Sequence, residues 1–533
     1  MENASALHIP ELVRLIAQMF DMQRDTAALI ATSRFFYRVA WDLLWRHIPS
    51  PLTVLSVLPS ETLVSKSGHL GETLSISRYL RDDEWERLGK LASCVQAIGT
   101  SEYPPSPHPQ DISGTYLLET LHNPRFIFPK LTEVHWHMDL AHSYELLVRL
   151  LNPSLSTLAI HTYPQPDTSI SALPLLVPRL QHFTLGAEDE DPAPLSSALV
   201  SWNELRSVQC GAIDAQAMWH LAVSTQLESA HFAVHPRGVD AFSSRLASNP
   251  PSNAISFPQA SYLRFVHYPM HEVGNEPHQP ILTKFLGCIR IAPVTLELEV
   301  WPVLWPDSML NLFTAISQHC DPGRLSRLAV FEVPNEPYNI YTDEEYALSF
   351  HDLAPLSALP NLANVSFDTR RRVTLNDEQL LALAQFWPQL EELKINETTG
   401  WGSPHVPHVT FGGLRDFLQL RPRLRSLALA LDTTSIEFMD FDNAKVLDTE
   451  LDVLDVLDSV PVAEQSDAVA SVLCRIAPRL SFLHSWQNDL TVLDEAEDSE
   501  AWWDDVVLAI RMHRARAKDD RPRVLGWTPE SGK

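Results

Sequence analysis

The stretch DEQLLALAQFWPQLEELKI (residues 377–395) holds one whole unit of the chain's architecture. Its first ten residues read as a helix that stops at Trp387, because the residue before a proline is pushed out of the helical region. The remainder fits the phrase P-x-L-x-x-φ-x-φ, where φ is apolar. Alternation puts Leu393 and Ile395 on one face of a short strand, and Leu390 reaches the same core.

The phrase returns along residues 120–485 as FPKLTEVHW, NPSLSTLAI, VPRLQHFTL, WNELRSVQC, LPNLANVSF, RPRLRSLAL and APRLSFLHS. Weaker copies are TQLESAHF, FPQASYLRF and DPGRLSRLAV. The anchoring leucines are Leu131, Leu155, Leu180, Leu205, Leu227, Leu325, Leu362, Leu390, Leu424 and Leu480. The first four gaps, 24, 25, 25 and 22 residues, have the period of leucine-rich repeats. Later gaps of 37, 28, 34 and 56 imply insertions. Helix-like segments such as YELLVRLL, AQAMWHLAV, MLNLFTAISQ and FGGLRDFLQL separate the phrases. The expected fold is therefore α/β: an irregular leucine-rich-repeat solenoid, with a concave parallel sheet, helices on the convex side and a continuous core between. A doubly wound α/β domain is the alternative. The lack of glycine-rich strand-to-helix turns and the reuse of one phrase count against it.

The front of the chain has another character. Pro10 can open a helix, and Leu12, Leu15, Ile16 and Met19 keep amphipathic spacing. Asp25 reads as the N-cap of a second helix, and FFYRVAWDLLW as a third ending at Trp45. Three helices in fewer than fifty residues leave an apolar surplus, which is either a docking face or a cap on the next domain.

IPELVRLIAQMF and then DTAALIATSRFFYRVAWDLLWRHI resemble an F-box, with its Ile-Pro-x-Leu opening, Ser-Arg-aromatic stretch and closing Leu-Trp. PLTVLSVLP and DDEWERLGKLASCVQAI are similar to the segments C-terminal to the F-box in divergent fungal F-box proteins. The resemblance is close over residues 7–100. It implies docking on the S-phase-kinase-associated linker protein, and through it on a cullin–RING ubiquitin ligase, with the repeats holding an unidentified target protein. Carried over by motif, the linker-binding residues are Ile9, Pro10, Leu12, Leu15 and Ile16, then Leu29, then Leu44 with Trp45. A leucine-rich-repeat scaffold with no ligase connection is the alternative.

The domains read as a helical stub at 1–50, a linker or helical N-cap at 51–120, the solenoid at 121–490, and a cap helix and tail at 491–533. Within the solenoid, residues 436–467 carry ten acidic residues and one lysine, and read as an exposed insertion.

The net charge of −27 disfavours nucleic acid and anionic membrane surfaces as partners. Five scattered cysteines with no C-x-x-C fit neither a disulfide framework nor structural zinc, and suit the reducing cytoplasm or nucleus. No apolar run approaches the ~18 residues a membrane span needs, so the Asn3, Asn364 and Asn396 glycosylation triplets carry little weight. Phosphate-loop, dinucleotide, nucleophile-elbow and zinc-protease motifs are all missing, so neither catalysis nor a cofactor is expected. His135 and His137 could chelate metal as an i, i+2 pair, but no third ligand is evident. HVPHVTFGG (405–413) and WPVLWP (301–306) read as solvent-facing and packed turns. A target should meet the concave strand positions, among them His135, His182, Asp368, Glu392, Lys394 and Asn396.

Overall fold

The computed structural model describes residues 9–20, 23–68, 71–99, 111–112, 115–121, 123–137, 143–161, 170–186, 191–248, 256–267, 281–300, 307–332, 344–402, 406–438, 446–461, 465–485 and 493–519. The fold is α/β, with fifteen strands ordered as in the chain in one sheet. Each pairing with a described register in that sheet is parallel. The chain divides into two compact units, Met1–Ala233 and Val234–Lys533.

The first unit opens with three helices, α1 (Pro10–Gln18), α2 (Gln23–Thr32) and α3 (Arg34–Leu44). The expected cap at Asp25 is corrected: α2 already starts at Gln23, so Asp25 lies in its first turn and favours the positive helix end. Ser33 caps α3 by accepting the Phe36 N–H. The boundary at 121 is also corrected. His47–Ile48 pairs with Ala97–Ile98, which pairs with Glu133–Trp136, so the sheet begins at the end of the stub. The span between holds the helix Asp82–Ala92 and two strands of a small sheet, Leu63–Gly68 and Gly71–Ile76. Glu84 fastens these parts: fully buried, it accepts from Arg78 at 2.7 and 2.9 Å and from the Arg81 N–H at 2.8 Å. The Arg78 guanidinium holds its carboxyl well below the usual range.

The repeat phrase folds as its residues require. All ten anchoring leucines are 3 % exposed or less. After each anchor, two consecutive N–H groups donate to one carbonyl of the preceding unit. Ser156 and Thr157 donate to Thr132, Gln181 and His182 to Ser156, and Arg206 and Ser207 to Gln181. In the second unit Ala363 and Asn364 donate to Ser326, Glu391 and Glu392 to Ala363, and Arg425 and Ser426 to Glu391. Helices start at side-chain caps: Asp214 accepts from Gln216 and Ala217, Asn376 forms a reciprocal pair with Gln379, and Thr410 accepts from Gly413.

The same rung exposes one unit the leucine phrase missed and one it caught only weakly, as FPQASYLRF. Val294 and Thr295 donate to Ser261, placing Ala260 and Pro293, both buried, at the anchor positions between Leu227 and Leu325. A small residue and a proline stand where leucine was sought, so the phrase faded while the strand stayed. The reading of 436–467 as an exposed insertion is corrected in the same way. Leu451 is fully buried, and Val453–Asp455 pairs with Ser426–Ala428 and Phe482–His484. The 56-residue gap is thus two units of 27 and 29. Residues 439–445 of that segment lie outside the described residues, as does WPVLWP. The tail helix, Leu493–Asp519, buries Trp503, Val506 and Ile510 against the last repeat helix, Ser466–Ile476, as a terminal cap should. Among the described residues no helix is long and apolar enough to cross a membrane.

Candidate functional site

Two surfaces answer to the sequence expectations, one in each unit. In the first, α1 is apolar on two sides. Val13 and Ala17 are buried, at 1 % and 3 % exposure, and Ala17 joins a small core with Ile30 and Ala40. Leu12, Leu15 and Ile16 point outward at 38 %, 57 % and 41 % exposure, with Ile9, Pro10 and Met19 also exposed. Arg14 pairs with Asp42, which links α1 to α3. The remaining motif residues are less exposed than that row. Leu29 and Leu44 are half-buried and pack against the stub's own core. Trp45 ends α3, half-buried in a tilted aromatic series with Trp41 and Tyr37. The Lys90 ammonium lies 5.7 Å from the Trp41 ring centroid, which joins the stub to the next helix.

His135 and Trp136 alternate as expected, with Trp136 buried and the His135 side chain turned outward. His135 is nonetheless only 12 % exposed, and its Nε2 pairs with Glu133 at 2.8 Å, which lowers the Glu133 pKa. The structure adds His161, unseen in the sequence because it sits one repeat further on. Its ring stacks on His137 at 4.2 Å between centroids, and on His135 at 5.9 Å. Burial, then the two neighbouring rings, push His161 down to about 4. The rings lie nearly parallel, and among the described residues no three His, Cys, Asp or Glu side chains form a group able to hold a metal ion. His182 is exposed on the neighbouring strand.

In the second unit the outward strand positions are mostly polar, and several pair with one another. Lys394 reaches Glu392 at 3.1 Å and Glu397 at 3.0 Å. Burial opposes its charge, but these carboxylates outweigh that and raise its pKa. Arg264 spans Glu299 at 2.7 Å and Glu297 at 3.5 Å, and Glu297 accepts from the Tyr262 hydroxyl. Asp368 is pushed up by burial, while Thr398 hydrogen bonds to its Oδ2 in opposition. Asn396 is corrected: it is fully buried and does not face a target. The strand ends at Ile395 and the backbone turns left-handed at Asn396 (φ 58°), a conformation asparagine tolerates. Its amide donates to the Arg371 carbonyl and accepts from the Thr369 N–H, tying adjacent turns together. In the 405–413 segment, His405 is outside the described residues and Thr410 caps a helix.

At the C-terminal ends of these strands lies a cavity of about 360 Å³, lined by Arg264, Glu299, Phe331, Asp368, Arg370 and Thr398 among others. Beneath it, Arg371 and Glu332 form a buried ion pair at 2.9 Å, with Ser308 also accepting from Arg371. Arg264, Glu297 and Glu299 went unnoticed because their units carry no anchoring leucine. The alternation in YLRFVH and TLELEV would have found them, since it puts Arg264, Glu297 and Glu299 on one face.

Compared with known proteins, the chain matches no family model and no curated protein sequence. The class is set by the fold: a repeat protein with a long parallel sheet, preceded by a helical stub.

Proposed function

We propose that this chain is a substrate-recognition adaptor of a cullin–RING ubiquitin ligase. The stub is an F-box that docks on the S-phase-kinase-associated linker protein, and the outward strand positions hold a target protein. The carrying observation is the row Leu12, Leu15 and Ile16, exposed together on a helix whose opposite side is already satisfied. Isolated apolar residues on a surface need no explanation, but a contiguous helical row is a docking face. The adaptor performs no chemistry of its own. It raises the effective concentration of the target beside the ligase.

Purified full-length protein should bind purified linker at micromolar concentration. Leu15→Asp should weaken that binding by at least about tenfold, the cost of charging a residue in a desolvated contact, with unchanged circular dichroism. Failure of the intact protein to bind overturns the ligase role. The self-contained packing of Val13, Ala17, Leu29 and Leu44 favours a second reading, a scaffold whose stub is only a cap. That reading requires intact and Leu15→Asp proteins to behave alike toward the linker.

A further inference from the structure

Three outward residues stand side by side on adjacent strands of the second unit. Glu299 is in register with Phe331, and Phe331 with Asp368. Their neighbours Leu298, Val330 and Phe367 point into the core and are buried. Neighbouring parallel strands are about 4.8 Å apart, so the three form a carboxylate–phenyl–carboxylate row. This row lines the cavity of about 360 Å³.

The charges around the row are unevenly matched. The buried Arg371 neutralises Glu332. Arg264 is shared between Glu297 and Glu299. Among the described residues lining the cavity, that leaves three carboxylates, Glu297, Glu299 and Asp368, against the two guanidiniums of Arg264 and Arg370. Asp368 Oδ1 has no hydrogen-bond partner among the described residues, although Oδ2 accepts from Thr398. A phenyl face attracts a cation, and flanking carboxylates accept its N–H groups. An anionic ligand would find Arg264 already engaged and would meet the excess carboxylate.

We infer that the Glu299–Phe331–Asp368 row is a recognition pocket for a lysine or arginine side chain presented by an extended segment of the target protein. The cation lies over Phe331, with Glu299 and Asp368 as acceptors on either side. This inference rests on the reading that the repeats hold a target, but not on the linker contact.

The test uses intact full-length protein immobilised at ~0.15 M salt, where long-range attraction is screened within about 8 Å. Four peptide libraries share random flanks and carry Lys, Arg, Gln or Glu at a fixed central position. The Lys and Arg libraries should be retained at least about threefold better than the Gln library. Phe331→Leu, which keeps apolar volume without the aromatic face, and Asp368→Asn should each bring that ratio close to one. Equal retention of all four libraries overturns the inference. So does a Lys and Arg preference that survives both substitutions, since that would be general attraction to an acidic protein. Linker binding, measured on the same preparations, should be unchanged in both variants, so loss of the pocket and loss of the ligase role are read separately.

Discussion

Leu15 and Leu390 are chemically the same residue in opposite circumstances. Leu390 anchors a repeat and is 1 % exposed. Leu15 stands on a helix of the stub with more than half its surface in water. The repeat region uses its anchoring leucines as joints between successive units, so each anchor is satisfied within the chain. The stub has too few residues to enclose all of its own, and it turns the surplus outward in one row. Leucine frequency alone would not separate the regions. What separates them is whether the next unit in the chain arrives to cover the side chain.

Truncation breaks the comparison most directly. Leu390→Ala should cost roughly 2–5 kcal/mol by removing buried methyl groups and leaving a cavity. Leu15→Ala should stay within about 0.5 kcal/mol, as exposed substitutions do. Denaturant midpoints at constant m-value would measure both, and equal losses would mean that the stub face is covered. A somewhat smaller effect is expected at Glu84. Glu84→Gln removes the charge facing Arg78, for a loss on the order of 2–3 kcal/mol, read as a lowered thermal midpoint. Because the folded carboxyl lies below its ordinary range, that stabilisation is present above about pH 4.3 and fades as the pH falls further. A smaller effect than at Glu84 belongs to the histidine stack. His161 is held down at about 4 when folded, so it favours folding above its unfolded value of about 6.5 and opposes it as the pH drops toward 4. After allowance for its partial exposure, the loss should be about 1 kcal/mol. His161→Phe should flatten the thermal midpoint between pH 6.5 and 4, and an unchanged slope would remove His161 as the cause.

Much of the array was legible because leucine, proline and alternation acted together in one phrase. Every leucine anchor chosen that way is buried. The phrase weakened at Ala260 and failed at Pro293, where its residues changed while the backbone geometry did not. It failed again at 447–457, where charge density concealed Leu451, Leu454 and Val456, all buried. Asp455 and Asp458 are buried there too. Asp458 accepts from the Trp401 and Gly402 N–H groups, so part of the acidity serves backbone amides instead of solvent. The candidate sites were legible less evenly. The spacing of α1 identified its outward row, while the partial packing of Leu29 and Leu44 against the stub core was not legible from spacing. Strand alternation placed Glu392 and Lys394 correctly and then misplaced Asn396, because periodicity carries no notice of where a strand ends. Strand alternation alone could have placed Glu299, but its position beside Phe331 and Asp368 became visible only once the strands were in register.

The rung that joins the units, two consecutive N–H groups on one carbonyl, has a bearing on how such a molecule can change. Anchor spacing runs from 22 residues between Leu205 and Leu227 to 37 between Leu325 and Leu362, yet the rung recurs at both ends of that range. Length is absorbed in the helices and turns, while the strands keep their lateral alignment. An insertion or deletion in a turn can therefore reshape the helical side without disturbing which residues stand abreast on the sheet. Glu299, Phe331 and Asp368 are neighbours by this alignment although they lie far apart in the chain. Each of the three can be exchanged by a point mutation, leaving the other two in place.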